Sequence, residues 1–355
     1  MTRNFFLGLL LILGIVLVLI VCACIITCNI KKEPPVLQQE EPVEELFIQE
    51  DDIEEESAPE TPEEITGNRI RVSYQTQQSS STLSALSGIR GRVLTSEIDP
   101  INYENPDLDV LRQMGTEPFL ISFFIGEQFY REGDFDKAVV EYTASINSNT
   151  EFIEAYISRG NIWLRKREYG RAIEDFTRAI RLDRTKAELY NYRGFARSER
   201  REYNQAIEDY SQAILLNQNY VDALINRSHA YFQTGGYDKV IEDCNRIIAL
   251  EPRNASIWNR RGAAWHHKND DDRAISDFTE AIRLRSDYAA AWYNRGNVWY
   301  NRGNFDRALA DMNRALAINP SYSAAYAARA NILRLLGSKE SAAADMEAAE
   351  HFGAR

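Results

Sequence analysis

The side chains that could carry chemistry are few and are concentrated at one turn. The chain has 4 histidines, and two of them, His266 and His267, precede an acidic run that begins at Asp270. Imidazole and carboxylate groups are metal ligands, but this spacing matches no standard site. The sequence contains no nucleophile elbow and no phosphate-binding loop. Its glycine-bearing segments, such as the one at Gly303, are typical of turns between helices. We therefore predict that the protein is not an enzyme, has no cofactor, binds no metal and uses no small-molecule substrate.

The elements around these residues are best seen in residues 291–320, which predict a helical hairpin. Trp292, Gly296 and Trp299 share one face of a helix, because residues four and seven apart lie above one another. Gly303 and its asparagine neighbours break that helix. A second helix follows, and Pro320 ends it, because proline disfavours helical geometry in the residue before it. The apolar stripe of the second helix consists of Leu309, Met312 and Leu316.

The hairpin pattern recurs every 34 residues. Two columns of mostly small residues repeat, one on each helix, and they let the two backbones approach closely. The first column is Gly126, Gly160, Gly194, Ser228, Gly262, Gly296 and Ala330, and the second is Ala138, Ala172, Ala206, Val240, Ala274, Ala308 and Ala342. Bulky columns fill the space beside these contacts. The five tryptophans lie in such columns, which predicts that they belong to the core and do not form a ligand cage: Trp163, Trp258, Trp265, Trp292 and Trp299.

This periodic pattern resembles the tetratricopeptide repeat (TPR) family, whose period and aromatic, small and proline positions it matches. The resemblance covers residues 119–355. It implies an all-α fold, a right-handed superhelical solenoid of seven helical hairpins, in which neighbouring hairpins share one continuous core. The predicted hairpins are residues 119–152, 153–186, 187–220, 221–254, 255–288, 289–322 and 323–355.

One departure from the family pattern is regular and involves charge. The family often has leucine before the glycine, whereas this chain has Arg159, Arg193, Arg227, Arg261, Arg295 and Arg329. Aspartates repeat with the same period on the second helix, at Asp175, Asp209, Asp243, Asp277, Asp311 and Asp345. We predict that each arginine bonds an aspartate of its own hairpin or of the adjoining one.

The N-terminal residues 1–32 predict a membrane anchor. Residues 5–27 are almost wholly apolar, long enough to cross the ~30 Å hydrocarbon core as a helix and longer than the core of a cleaved signal peptide. The alternative is a lipoprotein-type signal, since Cys24 and Cys28 each follow a small residue, as in a loose bacterial lipobox. By analogy with bacterial signal anchors, we expect the repeats outside the cytoplasm, in the periplasm or at the cell surface.

The region between anchor and repeats, residues 33–118, predicts a largely disordered linker. Fourteen carboxylates and no lysine or arginine occur in residues 33–64. Such a segment repels itself and buries too little apolar area to offset the entropy of ordering, so it should act as an extended spacer. The net charge of −12 lies largely in this segment. The repeats are close to neutral, so we expect no nucleic-acid partner.

The resemblance also implies a binding surface. In TPR proteins the first helices line a concave groove that holds extended peptides or partner helices. Aromatic and amide side chains suit that role, because rings supply contact area at low entropy cost and amides pair with a peptide backbone. The predicted partner-binding residues are Phe123, Tyr130, Ile157, Asn161, Leu164, Ile225, Phe232, Asn259, Tyr293, Asn297 and Tyr300.

The sequence thus predicts a membrane-tethered scaffold for protein–protein interaction, which binds a peptide or a partner helix in the groove. The alternative is a surface-exposed lipoprotein with an adhesin-like or structural role. Protease accessibility on whole cells would distinguish the two.

Overall fold

A computed structural model describes residue 112 and residues 115–353 of the chain. These residues form fourteen α-helices and no β-strand. The predicted anchor, residues 1–32, and nearly all of the predicted linker, residues 33–118, lie outside the described residues. Within the part that is described, none of the helices combines the length and the apolar character needed to span a bilayer.

The helices pair into seven hairpins, as the repeat predicts. The first helices are α1 (Pro118–Arg131), α3 (Ile153–Arg165), α5 (Ala187–Glu199), α7 (Val221–Gln233), α9 (Ala255–His267), α11 (Ala289–Asn301) and α13 (Ser323–Leu335). The second helices are α2 (Phe135–Ser148), α4 (Tyr169–Leu182), α6 (Tyr203–Leu216), α8 (Tyr237–Leu250), α10 (Asp271–Leu284), α12 (Phe305–Ile318) and α14 (Lys339–Gly353). Each helix packs chiefly on the helices before and after it. The prediction of an all-helical solenoid is therefore confirmed.

A short turn joins the two helices of each hairpin, and its middle residue has a positive φ. Glycine occupies this position in four turns, at Gly133, Gly235, Gly303 and Gly337. Asn269 occupies it in the fifth hairpin, and Arg167 and Arg201 occupy it in the second and third hairpins, with φ of 58° and 60°. Several of these turns are closed by a side chain at the start of the second helix. Asp134, for example, accepts a hydrogen bond from the backbone N–H of Lys137 at 3.1 Å, which satisfies a free helix donor.

In five of the hairpins the centre is a large side chain of the second helix packed on the glycine of the first. A Cβ atom added to Gly160 would lie 2.8 Å from Cε1 of Phe176, and one added to Gly262 would lie 2.8 Å from Cε1 of Phe278. The small column is therefore a requirement of packing. The central column in the first six hairpins is Tyr142, Phe176, Tyr210, Cys244, Phe278 and Met312, all fully buried. Burial raises the pKa of the Cys244 thiol to about 12, so the thiol is protonated at neutral pH.

The tryptophans are not fully enclosed by the core. All five are only half-buried, and an arginine side chain lies over each ring. The guanidinium carbon of Arg261 is 4.7 Å from the ring centroid of Trp258, and that of Arg307 is 4.6 Å from Trp299. The assignment of the tryptophans to the core holds for Trp163, Trp258, Trp265 and Trp292, which pack against buried core residues. Their outer faces stay partly open, and arginines cover them there.

The predicted pairing of the arginine and aspartate columns is confirmed, with one geometry in six hairpins. In each hairpin Nε and Nη2 of the arginine donate to the two carboxylate oxygens of the aspartate. For Arg261 and Asp277 both distances are 2.7 Å. The pairs are Arg159–Asp175, Arg193–Asp209, Arg227–Asp243, Arg261–Asp277, Arg295–Asp311 and Arg329–Asp345.

The same arginines also join neighbouring hairpins. Nη1 of each arginine donates to a side-chain oxygen on the second helix of the preceding hairpin, as Arg193 does to Thr177 at 3.2 Å. The acceptors are Thr143, Thr177, Ser211, Asn245, Thr279 and Asn313. Burial raises the pKa of Asp175, Asp243 and Asp277, and the paired arginine opposes that shift. The arginine therefore only partly offsets the cost of burying the carboxylate.

Candidate partner-binding surface

The eleven predicted groove residues do not form one accessible surface. Six are half-buried and leave part of the side chain open: Tyr130, Ile157, Asn161, Ile225, Phe232 and Tyr300. Five are buried: Phe123, Leu164, Asn259, Tyr293 and Asn297. A buried side chain offers no surface to a partner, so the predicted contact role does not agree with the structure at these five positions.

The burial of three of these residues has one cause, an aromatic side chain at the end of the same hairpin. The ring centroids of Tyr293 and Tyr322 are 5.0 Å apart, and those of Phe123 and Phe152 are also 5.0 Å apart. Asn259 is covered in the same way and donates from Nδ2 to the hydroxyl of Tyr288 at 3.3 Å. These covering residues recur 34 or 68 residues apart, at Phe152, Tyr220, Tyr288 and Tyr322. That column was the sequence signal for the burial.

Amides on the first helices bond to one another. Nδ2 of Asn226 donates to Oδ1 of Asn191, and Nδ2 of Asn294 donates to Oδ1 of Asn259, both at 3.0 Å. All four asparagines are buried. Each pair joins adjacent first helices, so these amides hold the hairpins in register.

A set of partly accessible aromatic side chains lies beside the turns of the first four hairpins and of the sixth, at the end of the first helix or the start of the second. We call them the turn-edge row, which consists of Tyr130, Phe135, Tyr169, Phe195, Phe232, Tyr237, Tyr300 and Phe305. All are half-buried. Within hairpins the rings contact each other, with centroids 5.6 Å apart for Tyr130 and Phe135 and 5.3 Å apart for Phe232 and Tyr237. Sequence reasoning missed the members that open the second helices, although their aromatic column recurs at the repeat period.

A cationic or imidazole side chain from the next hairpin supports the turn-edge row at two places. The guanidinium carbon of Arg165 lies 5.6 Å from the centroids of both Tyr130 and Phe135. The ring of His267 stacks on Tyr237, with centroids 4.5 Å apart and planes 4° apart. These contacts restrict the rings before any partner binds, which lowers the entropy cost of binding.

The acidic turn beside His266 is held by charge pairing. Nδ1 of His266 lies 2.6 Å from Oδ1 of Asp271. Arg302, from the next hairpin, lies 3.4 Å from Asp271 and 2.7 Å from Asp272. Among residues 115–353 and residue 112, no group of three or more histidine, cysteine and carboxylate side chains is placed to hold a metal ion. The arrangement favours a link between the fifth and sixth hairpins.

Comparisons with known families agree with this geometry. Family models described as tetratricopeptide repeat match residues 289–322 and residues 125–187 and 241–289. A model described as TPR repeat matches residues 197–235. Together the matches cover about half of the chain, and all lie within the helical hairpins. Comparison with curated protein sequences gives no match.

Solved structures with similar folds include a tetratricopeptide repeat protein from Parabacteroides merdae, which is 19% identical, has a TM-score of 0.56 and aligns over 66% of this chain and 93% of its own. The MamA protein is 28% identical over 49% of this chain and 94% of its own, with a TM-score of 0.47. YrrB, described as a TPR protein with an unusual peptide-binding site, is 17% identical over 53% of this chain and 96% of its own, with a TM-score of 0.49. The repeated hairpins, the family models and the first of these folds lead to one conclusion, that the chain is a tetratricopeptide-repeat protein.

Proposed function

We propose that the protein is a scaffold for protein–protein interaction that binds an extended peptide or a partner helix along its first helices. The observation that carries this proposal is the turn-edge row, whose half-buried rings, apart from Phe195, lie at multiples of the 34-residue period and are supported by neighbouring side chains. Aromatic side chains of this kind are enriched among residues that dominate binding energy. The accessible residues of the predicted groove, such as Ile157 and Ile225, extend the apolar surface of the first helices.

The contact set differs from the one that the sequence predicts. We assign the anchor role to Tyr130, Phe232 and Tyr300, because their rings are partly open and are supported by a second ring. Tyr293 is fully buried, with 0% of its surface exposed, and we assign it to the packing of its hairpin. Asn161 and Ile225, which are half-buried on the first helices, would be additional contacts of the partner along these helices.

The test is a peptide selected from a random library displayed against the full chain, with its affinity then measured for matched variants. Phe232→Ala combined with Tyr300→Ala should weaken binding by at least about tenfold, as expected for anchor residues. The control is Leu215→Ala combined with Leu250→Ala, which removes two exposed apolar side chains from second helices. Equal affinity for the aromatic variant and the original chain would refute the assignment.

We also propose that residues 5–27 tether this scaffold to a membrane and that the acidic linker spaces it from the lipid surface, with the repeats outside the cytoplasm. The apolar run and the uncompensated carboxylates of the sequence support this. Digestion of whole cells and of broken cells with a protease tests the topology. The repeats could stay protected as long as the cytoplasmic membrane is intact and be digested only after that membrane is broken. This result would contradict the proposed location.

A further inference from the structure

A half-buried carboxylate on the first helix of the first hairpin has no cationic partner. Glu127 lies on α1 between Phe123 and Tyr130, one helical turn from each. Among the residues that the structure describes, no lysine, arginine or histidine forms an ion pair with it. The buried aspartates of the second helices, from Asp175 to Asp345, are each paired with an arginine. Glu127 is therefore an unpaired charge on the helices that we assign to partner binding.

Two hydroxyl groups hold this carboxylate in place. Oε1 of Glu127 accepts a hydrogen bond from the hydroxyl of Tyr142 at 2.6 Å and another from the hydroxyl of Ser158 at 3.0 Å. Burial raises the pKa of Tyr142, and the charge of Glu127 raises it further, so this hydroxyl stays protonated and donates. Tyr142 belongs to the same hairpin and Ser158 to the first helix of the next. Within the described part of the chain, nothing donates to the second oxygen, Oε2.

The packing of the hairpin does not explain why this position holds a carboxylate. The other tyrosine of the central column, Tyr210, is also fully buried, and the equivalent of Glu127 in its hairpin is Phe195. The seven members of this column are Glu127, Asn161, Phe195, His229, Ala263, Asn297 and Asn331. Glu127 thus adds a charge that the repeated packing does not require, and partial burial of an unpaired charge is costly.

The neighbouring cations do not neutralise this charge. The first hairpin lacks the paired arginine of the other hairpins, because Ile125 occupies that position. Arg165, from the next hairpin, lies over the rings of Tyr130 and Phe135, with its guanidinium carbon 5.6 Å from each centroid. Arg131, one turn further along α1, is exposed. The second oxygen of the carboxylate is therefore available to a cation that a partner brings.

We propose that Glu127 binds a cationic side chain, lysine or arginine, of the partner that lies along the first helices. This inference rests on the proposed function, because it names one contact of the same peptide or helix. The cation donates to Oε2, and the apolar stem of its side chain packs on the partly open ring of Tyr130. Oε1 keeps its two hydroxyl donors, so binding requires no rearrangement of the carboxylate. The partner thus carries a positive charge where it faces the first two hairpins.

The test repeats the selection from a random peptide library on two forms of the full chain, the original and Glu127→Gln. Both are kept in a mild detergent, because residues 5–27 are apolar. Glutamine retains an acceptor for the two hydroxyl groups, and a melting curve of the variant checks that its fold is intact. We expect the peptides selected on the original chain to share a lysine or arginine at one position. The peptides selected on the variant should lack it.

Affinity measurements on one selected peptide then isolate the contact by a double-mutant cycle. Replacing its shared cation by glutamine should weaken binding to the original chain by at least about tenfold, as expected for a hydrogen bond between charged groups. The same replacement should have little effect on binding to Glu127→Gln. The matched control is Glu141→Gln, which removes a half-buried carboxylate from the second helix of the same hairpin and should leave the tenfold difference in place.

Three results would overturn this inference alone. One is a set of selected peptides without a shared cation, and another is an equal effect of the peptide replacement on both forms of the chain. The third is loss of the difference in Glu141→Gln as well, which would show a general attraction to the acidic hairpin. A selection that yields no binding peptide on either form would overturn the proposed function and this inference together.

Discussion

The central column of the hairpins and the turn-edge row are both largely aromatic, and most members of each lie at multiples of 34 residues, yet they do different things. A central ring such as Phe278 lies against a small residue, Gly262, and is completely buried. A turn-edge ring such as Phe232 lies against another ring, Tyr237, and stays half-open. The role of an aromatic column in this array therefore depends on the size of the residue that it faces across the hairpin.

The largest effect is expected at the central column. Phe278→Ala should lower the free energy of unfolding by roughly 3–5 kcal/mol, because it leaves a cavity in a site that cannot collapse onto a glycine. Phe305→Ala, at the turn edge, is the matched control and should cost clearly less. Chemical denaturation of both variants measures the difference. Equal losses would show that the two columns are energetically the same.

The Arg–Asp pairs belong with the central column in this comparison, because their carboxylates are buried. Arg261→Leu should cost about 3 kcal/mol, since Asp277 is then left buried and unpaired. The double variant with Asp277→Leu should recover most of that loss, because no uncompensated charge remains. If the double variant is less stable than Arg261→Leu alone, the pair contributes stability beyond charge compensation.

The close approach of the two helices predicts an intermediate effect at the small column. A Cβ on Gly194 would lie 2.8 Å from Cε1 of Tyr210, so Gly194→Ala should cost roughly 1–3 kcal/mol through overpacking. Gly170→Ala is the control, because its nearest neighbour would be the end of a flexible arginine side chain at 3.9 Å. Thermal melting of both variants decides whether the ring can move aside.

The two tyrosines of α11 sharpen the comparison on a single helix. Tyr293→Ala should cost roughly 3 kcal/mol or more, because its ring is fully buried. Tyr300→Ala should cost less than about 1 kcal/mol and should instead weaken peptide binding. Melting curves and one affinity measurement test both statements. An early-melting Tyr300 variant that still binds the peptide would reverse the assignment.

The sequence was sufficient for the repeat, the hairpins and the arginine–aspartate pairing, because each depends on a periodic contact between residues of the same hairpin. The site was harder to predict. Tyr293 and Tyr300 are seven residues apart on one helix face, so helical periodicity places them together. Their difference in burial comes from Tyr322, which covers only the first of them. The periodicity of a helix cannot show that a residue beyond that helix covers Tyr293. The only sequence signal for this burial is the aromatic column to which Tyr322 belongs.

The tryptophans show a second limit of the sequence. A helix-face pattern places Trp258 beside the small column, but it does not say what covers the outer face of the ring. In the structure Arg261 lies there, three residues along the same helix. The sequence predicts only that the arginines pair with aspartates. A guanidinium can also stack its flat face on an aromatic ring while its edge bonds a carboxylate.

The smallest effect is expected at the turns that carry the turn-edge row. Arg167 has a φ of 58°, a region in which most residues are strained and glycine is not. Arg167→Gly removes that strain but increases the freedom of the unfolded chain, so the net change should lie within about 1 kcal/mol and should favour the folded state. Asn269→Gly, at the equivalent turn, makes the same backbone change without removing a charge and should behave alike. A loss well above 1 kcal/mol in Arg167→Gly alone, measured by denaturation at low and high salt, would show that the arginine side chain itself stabilises this end of the hairpin. In that case the turn edge would share the charge-based packing of the interior, and the distinction between the two regions would be one of exposure only.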